Sequence, residues 1–201
     1  MNSRLAAIVG LMALTVGLWM LAPRPVSVLV LGDSLMEGCS APVKWWSQCP
    51  DFCFRNLALK GNTARITLER LPRTGHWDVA LIGVGQNDGA SRVFLPDFVR
   101  DIEELLRRAP ADKVIIVAYP ESSTQRLIVL GHKQALIRTA REHHAPVWDL
   151  RGLLPNRLFL PDMIHLTSAG AAVFGRELNR RLCSLSAGTS RVALTAAPHK
   201  Q

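Results

Sequence analysis

Short, nearly unbroken hydrophobic runs recur along this chain. They are rich in β-branched residues and lie at residues 26–31, 79–84 and 114–118, with a shorter run at 146–148 and a weaker candidate at 54–59. Runs of this length and composition are typical of strands that are buried on both faces, as in a parallel sheet. The pattern therefore predicts strands at these places.

Apolar residues at helical spacing separate the strand candidates. One such set follows Pro96, which suits a first helical turn, and consists of Phe98, Ile102, Leu105 and Leu106. Two further helices are predicted over residues 127–143 and 167–183, the second with Thr167 as its N-cap. Strands that alternate with helices in this way indicate an α/β domain with a parallel sheet.

Ahead of the first strand lies an uncharged apolar stretch, residues 5–22. As a helix it would measure roughly 27 Å, close to the hydrocarbon thickness of a bilayer at about 30 Å. Only half of a small-x-small cleavage site is present at its end. We expect residues 1–25 to be an uncleaved membrane anchor. The alternatives are a cleaved signal peptide and a helix buried in the core of the protein. Arg4 ahead of the stretch favours export, to the periplasm if the source is bacterial.

The amino-acid composition excludes several classes of protein. With 48% hydrophobic and 20% charged residues in 201, the chain is neither disordered nor collagen-like and has the length of one domain. The formal net charge of +8 suits anionic partners, but no continuous basic run or finger spacing is present, so we expect no nucleic-acid partner. The domain is predicted over 26–183, and residues 184–201, which lack periodicity, are predicted to be a loose tail.

The cysteines do not point to a metal. They are Cys39, Cys49, Cys53 and Cys183, without a C-x-x-C pair, so a zinc or thioredoxin-type site is not expected. Three disulfide pairings remain open, and export would permit any of them. Gly83 and Gly85 lack the third glycine of a dinucleotide fingerprint, and no phosphate-binding loop occurs. We expect neither a metal nor a cofactor.

Polar residues suited to acyl chemistry follow the predicted strands. Ser34 comes directly after the first strand, where Gly32 permits a tight bend, and Asp162 and His165 precede the last helix. Ligands of parallel sheets bind beyond the carboxyl ends of the strands. A serine hydroxyl at that edge needs a base, which His165 can supply while Asp162 fixes the imidazole tautomer.

Such chemistry also needs donors for a developing oxyanion, and the backbone N–H groups of Ser34 and Gly61 and the Asn87 amide can supply three. Each piece has a plainer explanation. Gly-Asp-Ser is commonly a turn or a helix cap, Asp162 and His165 would suit a loop salt bridge, and residues 85–89 would suit a turn. Asp-Ser-Leu also occurs in acyl carrier proteins, which are small, acidic and helical, unlike this basic α/β chain.

In combination and in order, these pieces make the chain resemble the SGNH (GDSL) hydrolase family, particularly its small thioesterase/lysophospholipase-like members. The matching blocks are Gly-Asp-Ser-Leu at 32–35, the glycine at 61, Gly-Gln-Asn-Asp at 85–88 and Asp-Met-Ile-His at 162–165. The resemblance spans about residues 26–183. It implies a flavodoxin-like three-layer sandwich with a five-stranded parallel sheet.

The resemblance also implies roles for single residues. Ser34 would be the nucleophile, His165 the base and Asp162 its orienting partner, and Ser34, Gly61 and Asn87 would form the oxyanion hole. Asp33 is better explained as a cap of the following turn than as the triad acid.

Three functions remain open at this point. The first is a serine ester hydrolase acting on a small-molecule or lipid ester or thioester. The second is an O-acetylesterase acting on acylated cell-envelope polysaccharide, and the third is a non-catalytic binding module. Candidate pocket residues are Leu35, Trp45, Trp46 and Tyr119, and core packing is the alternative for the tryptophan pair.

Overall fold

A computed structural model of the protein describes residues 24–38 and 52–195. The strands are β1 (Val26–Gly32), β2 (Phe52–Asn56), β3 (Trp77–Gly83), β4 (Ala111–Ala118) and β5 (Val147–Asp149). The helices of this part of the chain are α1 (Ser34–Glu37), α2 (Ala64–Glu69), α3 (Gln86–Ala90), α4 (Leu95–Arg108), α5 (Ser123–Glu142) and α6 (Ser168–Thr195), with a 3-10 turn at Asn156–Leu158.

All five strands pair in parallel, in the order β2-β1-β3-β4-β5. This is the flavodoxin-like order, in which the chain starts near the middle of the sheet and winds outward in both directions. The five-stranded parallel sheet predicted from the sequence is confirmed. Because the strands are parallel, their carboxyl ends lie along one edge, and Ser34 and Asn87 follow β1 and β3 at this edge.

Helices cover the sheet on both sides, which makes three layers. Alternate strand residues point to opposite faces. One face packs against α1 and α6 through Val28, Val30, Leu81, Val117, Met36, Phe174, Leu178 and Leu182. The other packs against α2, α4 and α5 through Leu29, Leu31, Ile82, Ile116, Leu68, Phe98, Ile102, Leu105 and Leu136. The near-continuous apolar strands of the sequence thus reflect burial on both faces.

The predicted helices are present, with two differences. Pro96 lies in the first turn of α4, and the Thr167 hydroxyl accepts a hydrogen bond from the Gly170 N–H (3.1 Å), as an N-cap does. The first difference is that α6 continues to Thr195, so the prediction of a loose tail is wrong for the backbone of residues 184–195. No proline interrupts that stretch, and extending an existing helix is far easier than nucleating one.

The second difference is the presence of the short helices α1, α2 and α3, which are too brief to show a periodic pattern. Side chains at their amino ends stabilise two of them. The Asp33 carboxylate accepts from the Leu35 N–H (3.0 Å) in α1, and the Thr63 hydroxyl accepts from the Ile66 N–H (3.3 Å) in α2.

Several predictions fall outside the described residues. These are the apolar stretch at 5–22, Trp45, Trp46, Cys39 and Cys49. Within residues 24–38 and 52–195, no helix is both long enough and apolar enough to cross a membrane.

The carboxyl ends of β1 and β3 come unusually close together. Gly32 pairs with Gly83 across the two strands, and Gly32 has a φ of +142°. A Cβ atom on Gly32 would lie 2.1 Å from the Gly83 carbonyl oxygen, a distance no side chain can occupy. The bend that leads from β1 into α1 therefore requires glycine, for both space and backbone conformation.

We predict that Gly32→Ala lowers the free energy of unfolding by more than about 2 kcal/mol, because the methyl group meets backbone rather than a movable side chain. Urea denaturation measures the effect. The matched control is Gly131→Ala in α5, where an added Cβ has no neighbour within 4 Å. That change should stabilise the protein by about 0.5–1 kcal/mol through helix propensity. Equal effects of the two substitutions would contradict the packing argument.

Candidate active site

The nucleophile candidate sits at the first turn of α1. Asp33 caps this helix, and Gly38 ends it in the left-handed conformation. Ser34 is therefore the first helical residue, whose backbone N–H has no partner within the helix. Its side chain is largely buried. A hydroxyl and an N–H of the same residue are thus presented together at the carboxyl edge of the sheet.

Ser34, His165 and Asp162 form a continuous hydrogen-bonded chain. The Ser34 Oγ lies 3.1 Å from His165 Nε2, and His165 Nδ1 lies 2.7 Å from Asp162 Oδ2. Because a carboxylate only accepts, the ring proton belongs on Nδ1, which leaves Nε2 free to accept the serine proton. The geometry is that of a serine nucleophile, its base and the acid that orients the base.

The Asp162 carboxylate is anchored by its own loop. Its Oδ1 accepts from the backbone N–H groups of Ile164 and His165, each at 2.9 Å. Partial burial raises the pKa of Asp162, but the hydrogen bonds from His165 and from the two backbone groups outweigh it and hold the pKa below the ordinary 3.8. Asp162 is therefore ionised at neutral pH, as the partner of a protonated imidazole should be.

A small closed loop carries both Asp162 and His165. Phe159 and Leu166 form an antiparallel bridge at its base, and the Leu160 N–H donates to the His165 carbonyl at 2.7 Å. The bridge keeps the two catalytic candidates close together even though no long helix or strand contains them.

Asn62 connects the candidate oxyanion donors through hydrogen bonds. Its side-chain amide donates to the Gly32 carbonyl (3.1 Å), and its own carbonyl accepts from the Asn87 amide (2.9 Å). Asn87 and the neighbouring Gly61 are thereby held beside the end of β1. A Cβ on Gly61 would meet no atom within 4 Å, so the backbone there borders open space. Nothing in the sequence had marked Asn62 apart from its place in the second block.

Asp88 holds the start of α2. It is buried, and both its carboxylate oxygens accept from the Ala64 N–H, at 3.0 and 3.2 Å. Burial raises the pKa of Asp88, while the Ala64 hydrogen bond opposes the rise. The sequence alone assigns no role to this residue. Its position right after Asn87 is the signal that could have found it, because it connects the Asn87 turn to the segment that carries Gly61.

Asp33 has a different environment from the triad acid. It is completely buried, and only its Oδ1 accepts a hydrogen bond, from the Leu35 N–H. Burial raises the pKa of Asp33 from 3.8 to about 7, and the nearby Asp88 adds to the rise. The prediction that Asp33 caps the turn is confirmed by the contact to Leu35.

We predict that Asp33 makes stability depend on pH. In the folded protein it keeps its proton up to about pH 7, whereas the unfolded chain loses it near 3.8. Its stabilising contribution is therefore complete below about pH 4 and is lost as the pH rises to about 7. Asp33→Asn, which cannot ionise and still caps a helix, should reduce the loss between pH 4 and pH 8 by about 4 kcal/mol. Denaturation at both values measures it, and identical losses in both proteins would contradict the assignment.

Two of the predicted pocket residues belong to the core instead. Leu35 is 3% exposed and Tyr119 is 1% exposed, and both pack in the hydrophobic cluster beneath α6. The Tyr119 hydroxyl donates to the Gly83 carbonyl. An apolar residue in a helical first turn and a tyrosine at a strand end would suit either place, so the sequence could not separate them. Among the described residues, no cluster of three or more His, Cys, Asp or Glu side chains is arranged to hold a metal ion.

Comparison with known proteins agrees with this geometry. The sequence model of the GDSL-like lipase/acylhydrolase family matches residues 30–173, a stretch that includes all four blocks. The protein belongs to this family. As a GDSL hydrolase, it is an enzyme that hydrolyses esters. No curated protein sequence matches the chain.

Solved structures share the GDSL hydrolase fold at low identity. The psychrotrophic esterase EstA from Pseudoalteromonas sp. superposes with a TM-score of 0.66 at 16% identity, covering 80% of this chain and 98% of that one. The aryl esterase of M. smegmatis gives 0.61 at 21%, covering 80% and 99%. Axe2, an acetylxylan esterase from Geobacillus stearothermophilus, gives 0.57 at 16%, covering 78% and 94%. At these identities the likeness concerns the fold alone.

Proposed function

We propose that this GDSL hydrolase cleaves carboxylic esters or thioesters through an acyl-enzyme formed on Ser34. The observation that carries the proposal is the hydrogen-bonded chain from Ser34 through His165 to Asp162, at 3.1 and 2.7 Å. A non-catalytic binding module would have no need for an ionised carboxylate that orients an imidazole toward a serine hydroxyl.

In the first half-reaction, the Ser34 oxygen attacks the substrate carbonyl carbon as its proton passes to His165 Nε2. The Asp162 carboxylate stabilises the resulting imidazolium. The carbonyl electron pair moves onto oxygen, where the N–H groups of Ser34 and Gly61 and the Asn87 amide can donate hydrogen bonds. When the tetrahedral intermediate collapses, the leaving oxygen or sulfur departs with the proton held by His165.

In the second half-reaction, water takes the place of the leaving group. His165 accepts a proton from the water as its oxygen attacks the acyl carbon, and the same oxyanion donors act again. Collapse breaks the bond to the Ser34 oxygen, which regains its proton from His165, and the acid is released. Every proton transfer uses the one imidazole, so no metal ion or cofactor is required.

A second candidate function is the hydrolysis of O-acetyl groups on a cell-envelope polysaccharide. We propose that residues 5–22 anchor an exported domain in a membrane. Arg24, just after that stretch, pairs with Asp78 at 2.6 Å at the amino ends of the strands. The strand β1 then covers roughly 20 Å, at about 3.3 Å per residue, before it reaches the Ser34 edge. This separation favours an ester that lies outside the bilayer over a lipid within it.

We predict that Ser34→Ala abolishes ester hydrolysis without loss of folding, because the nucleophilic oxygen is gone. A fluorophosphonate probe that labels serine hydrolases should modify the wild-type protein and not the variant. His165→Ala should be nearly as severe. Absence of labelling in the wild type, under conditions that label a related active esterase, would favour the binding module.

We predict that Asn87→Ala lowers kcat by about 10²–10³, the usual effect of removing an oxyanion donor. Steady-state hydrolysis of p-nitrophenyl acetate measures it, with circular dichroism to confirm folding. Asn87→Asp is a second test variant of matched size, since it keeps the size of the side chain and removes the amide donor, and it should also lower kcat. An unchanged rate in both variants would show that Asn87 is not a donor.

A series of p-nitrophenyl esters of increasing acyl length separates the substrate classes. A steep preference for acetate would favour the polysaccharide O-acetylesterase. Activity that rises with chain length would favour lipid or fatty-acyl esters.

A further inference from the structure

The segment 119–122 follows β4 and has no part in the reaction described above. It nevertheless contacts the catalytic loop, residues 159–166, which carries Asp162 and His165. Ser122 is buried, and its hydroxyl donates to the Met163 carbonyl at 2.7 Å. Met163 lies in the loop between Asp162 and His165, so this hydrogen bond reaches the backbone that joins the acid to the base.

Met163 adopts an unfavourable backbone conformation. Its φ is +58°, in the left-handed region that non-glycine residues other than Asn and Asp seldom enter. Two hydrogen bonds hold it there. Its N–H donates to the Leu160 carbonyl at 2.8 Å, and its carbonyl accepts from Ser122. Strained residues at functional sites persist only where the surroundings enforce them.

The position of Ser122 is itself enforced by a buried ion pair. The Lys133 ammonium on α5 lies 3.1 Å from the Glu121 carboxylate and 3.3 Å from the Tyr119 carbonyl. The side chains of Lys133 and Glu121 are 1% and 8% exposed. Because either charge would be costly to bury alone, the pair fixes residues 119–121 against α5. Ser122 is the next residue along the chain.

We propose that Ser122 is a positioning residue that holds Met163 in the left-handed conformation and so directs Asp162 and His165 toward Ser34. The inference rests on the proposed function, because it assigns Ser122 to the same triad. Ser122 acts through the backbone of the catalytic loop and does not touch the substrate.

The test is a double-mutant cycle with Ser122→Ala and Met163→Asn, measured on p-nitrophenyl acetate. Ser122→Ala should lower kcat about tenfold and change KM less than about threefold, since misplaced catalytic groups slow the chemical step. Asparagine adopts the left-handed conformation readily. In the Met163→Asn background, Ser122→Ala should therefore lower kcat by less than about threefold. A full kcat for Ser122→Ala, or an equal loss in both backgrounds, would overturn the proposal.

Thr139→Val is the matched control. It removes another fully buried hydroxyl, on α5, that has no hydrogen-bond partner, and it should leave kcat unchanged. If Thr139→Val lowered kcat as much as Ser122→Ala, the effect would reflect general packing and the proposal would fail.

A second pair of variants serves if Ser122→Ala does not fold. Met163→Val places a β-branched residue in the left-handed region and should lower kcat at least tenfold relative to Met163→Asn. Equal rates for the two would overturn the proposal. Failure of the proposed function looks different, because the wild type itself would then neither hydrolyse esters nor react with the fluorophosphonate.

Discussion

At the carboxyl ends of β1 and β3, space allows only glycine on both strands, because of the neighbouring backbone at Gly32 and the buried Tyr119 side chain at Gly83. A methyl group on Gly32 would meet the Gly83 carbonyl, and one on Gly83 would meet the Tyr119 ring. The helix α1, which follows β1, begins at Ser34. The Gly32 carbonyl also accepts a hydrogen bond from the Asn62 side-chain amide, and the Asn62 backbone carbonyl accepts one from the Asn87 amide. The proposed nucleophile and the proposed oxyanion donors thus share one backbone junction.

Three aspartates near this junction have different protonation behaviour because of their surroundings. Asp162 accepts hydrogen bonds from an imidazole and two backbone N–H groups, which lower its pKa. Asp33 has one backbone donor and no solvent, so burial brings its pKa to about 7. Asp88 has a donor for both oxygens, yet burial still raises its pKa. Accepted hydrogen bonds lower the pKa of a carboxyl group and burial raises it. The balance between the two decides which of these aspartates is an anion, as the partner of an imidazolium must be.

The sheet, and the contact between Ser34, His165 and Asp162, were predictable from the sequence for a physical reason. Buried parallel strands require unbroken apolar runs, and the run ending at Gly32 marks where β1 gives way to Ser34. Asp162 and His165 were identifiable because they lie three positions apart in one loop, a spacing that allows their side chains to meet. Asn62 and Ser122 were not identifiable, because each donates its hydrogen bond to a backbone carbonyl that only the tertiary fold brings near. Contacts of that kind leave no spacing pattern in a chain.

The placement of Leu35 and Tyr119 illustrates the same limit. Both follow strand ends, where substrate-facing residues are expected, but their side chains turn into the core cluster under α6. The direction of a side chain at a strand end depends on the last turn of backbone, and in β1 that turn is set by a glycine with a φ of +142°. Sequence patterns place a residue at the correct edge of the sheet, while the local backbone decides whether it faces the substrate or supports the residues that do.

The catalytic loop shows how this enzyme combines a rigid sheet with a strained connection. Asp162 and His165 lie outside regular secondary structure, where a free loop would sample many positions. The bridge at Phe159, the left-handed Met163 and the packed segment after β4 restrict it instead. The left-handed conformation of Met163 is unfavourable on its own, and the hydrogen bonds to Leu160 and Ser122 offset part of its cost. The left-handed residue lies between Asp162 and His165, so the distance from His165 to Ser34 depends on the contacts that this loop makes with the neighbouring core.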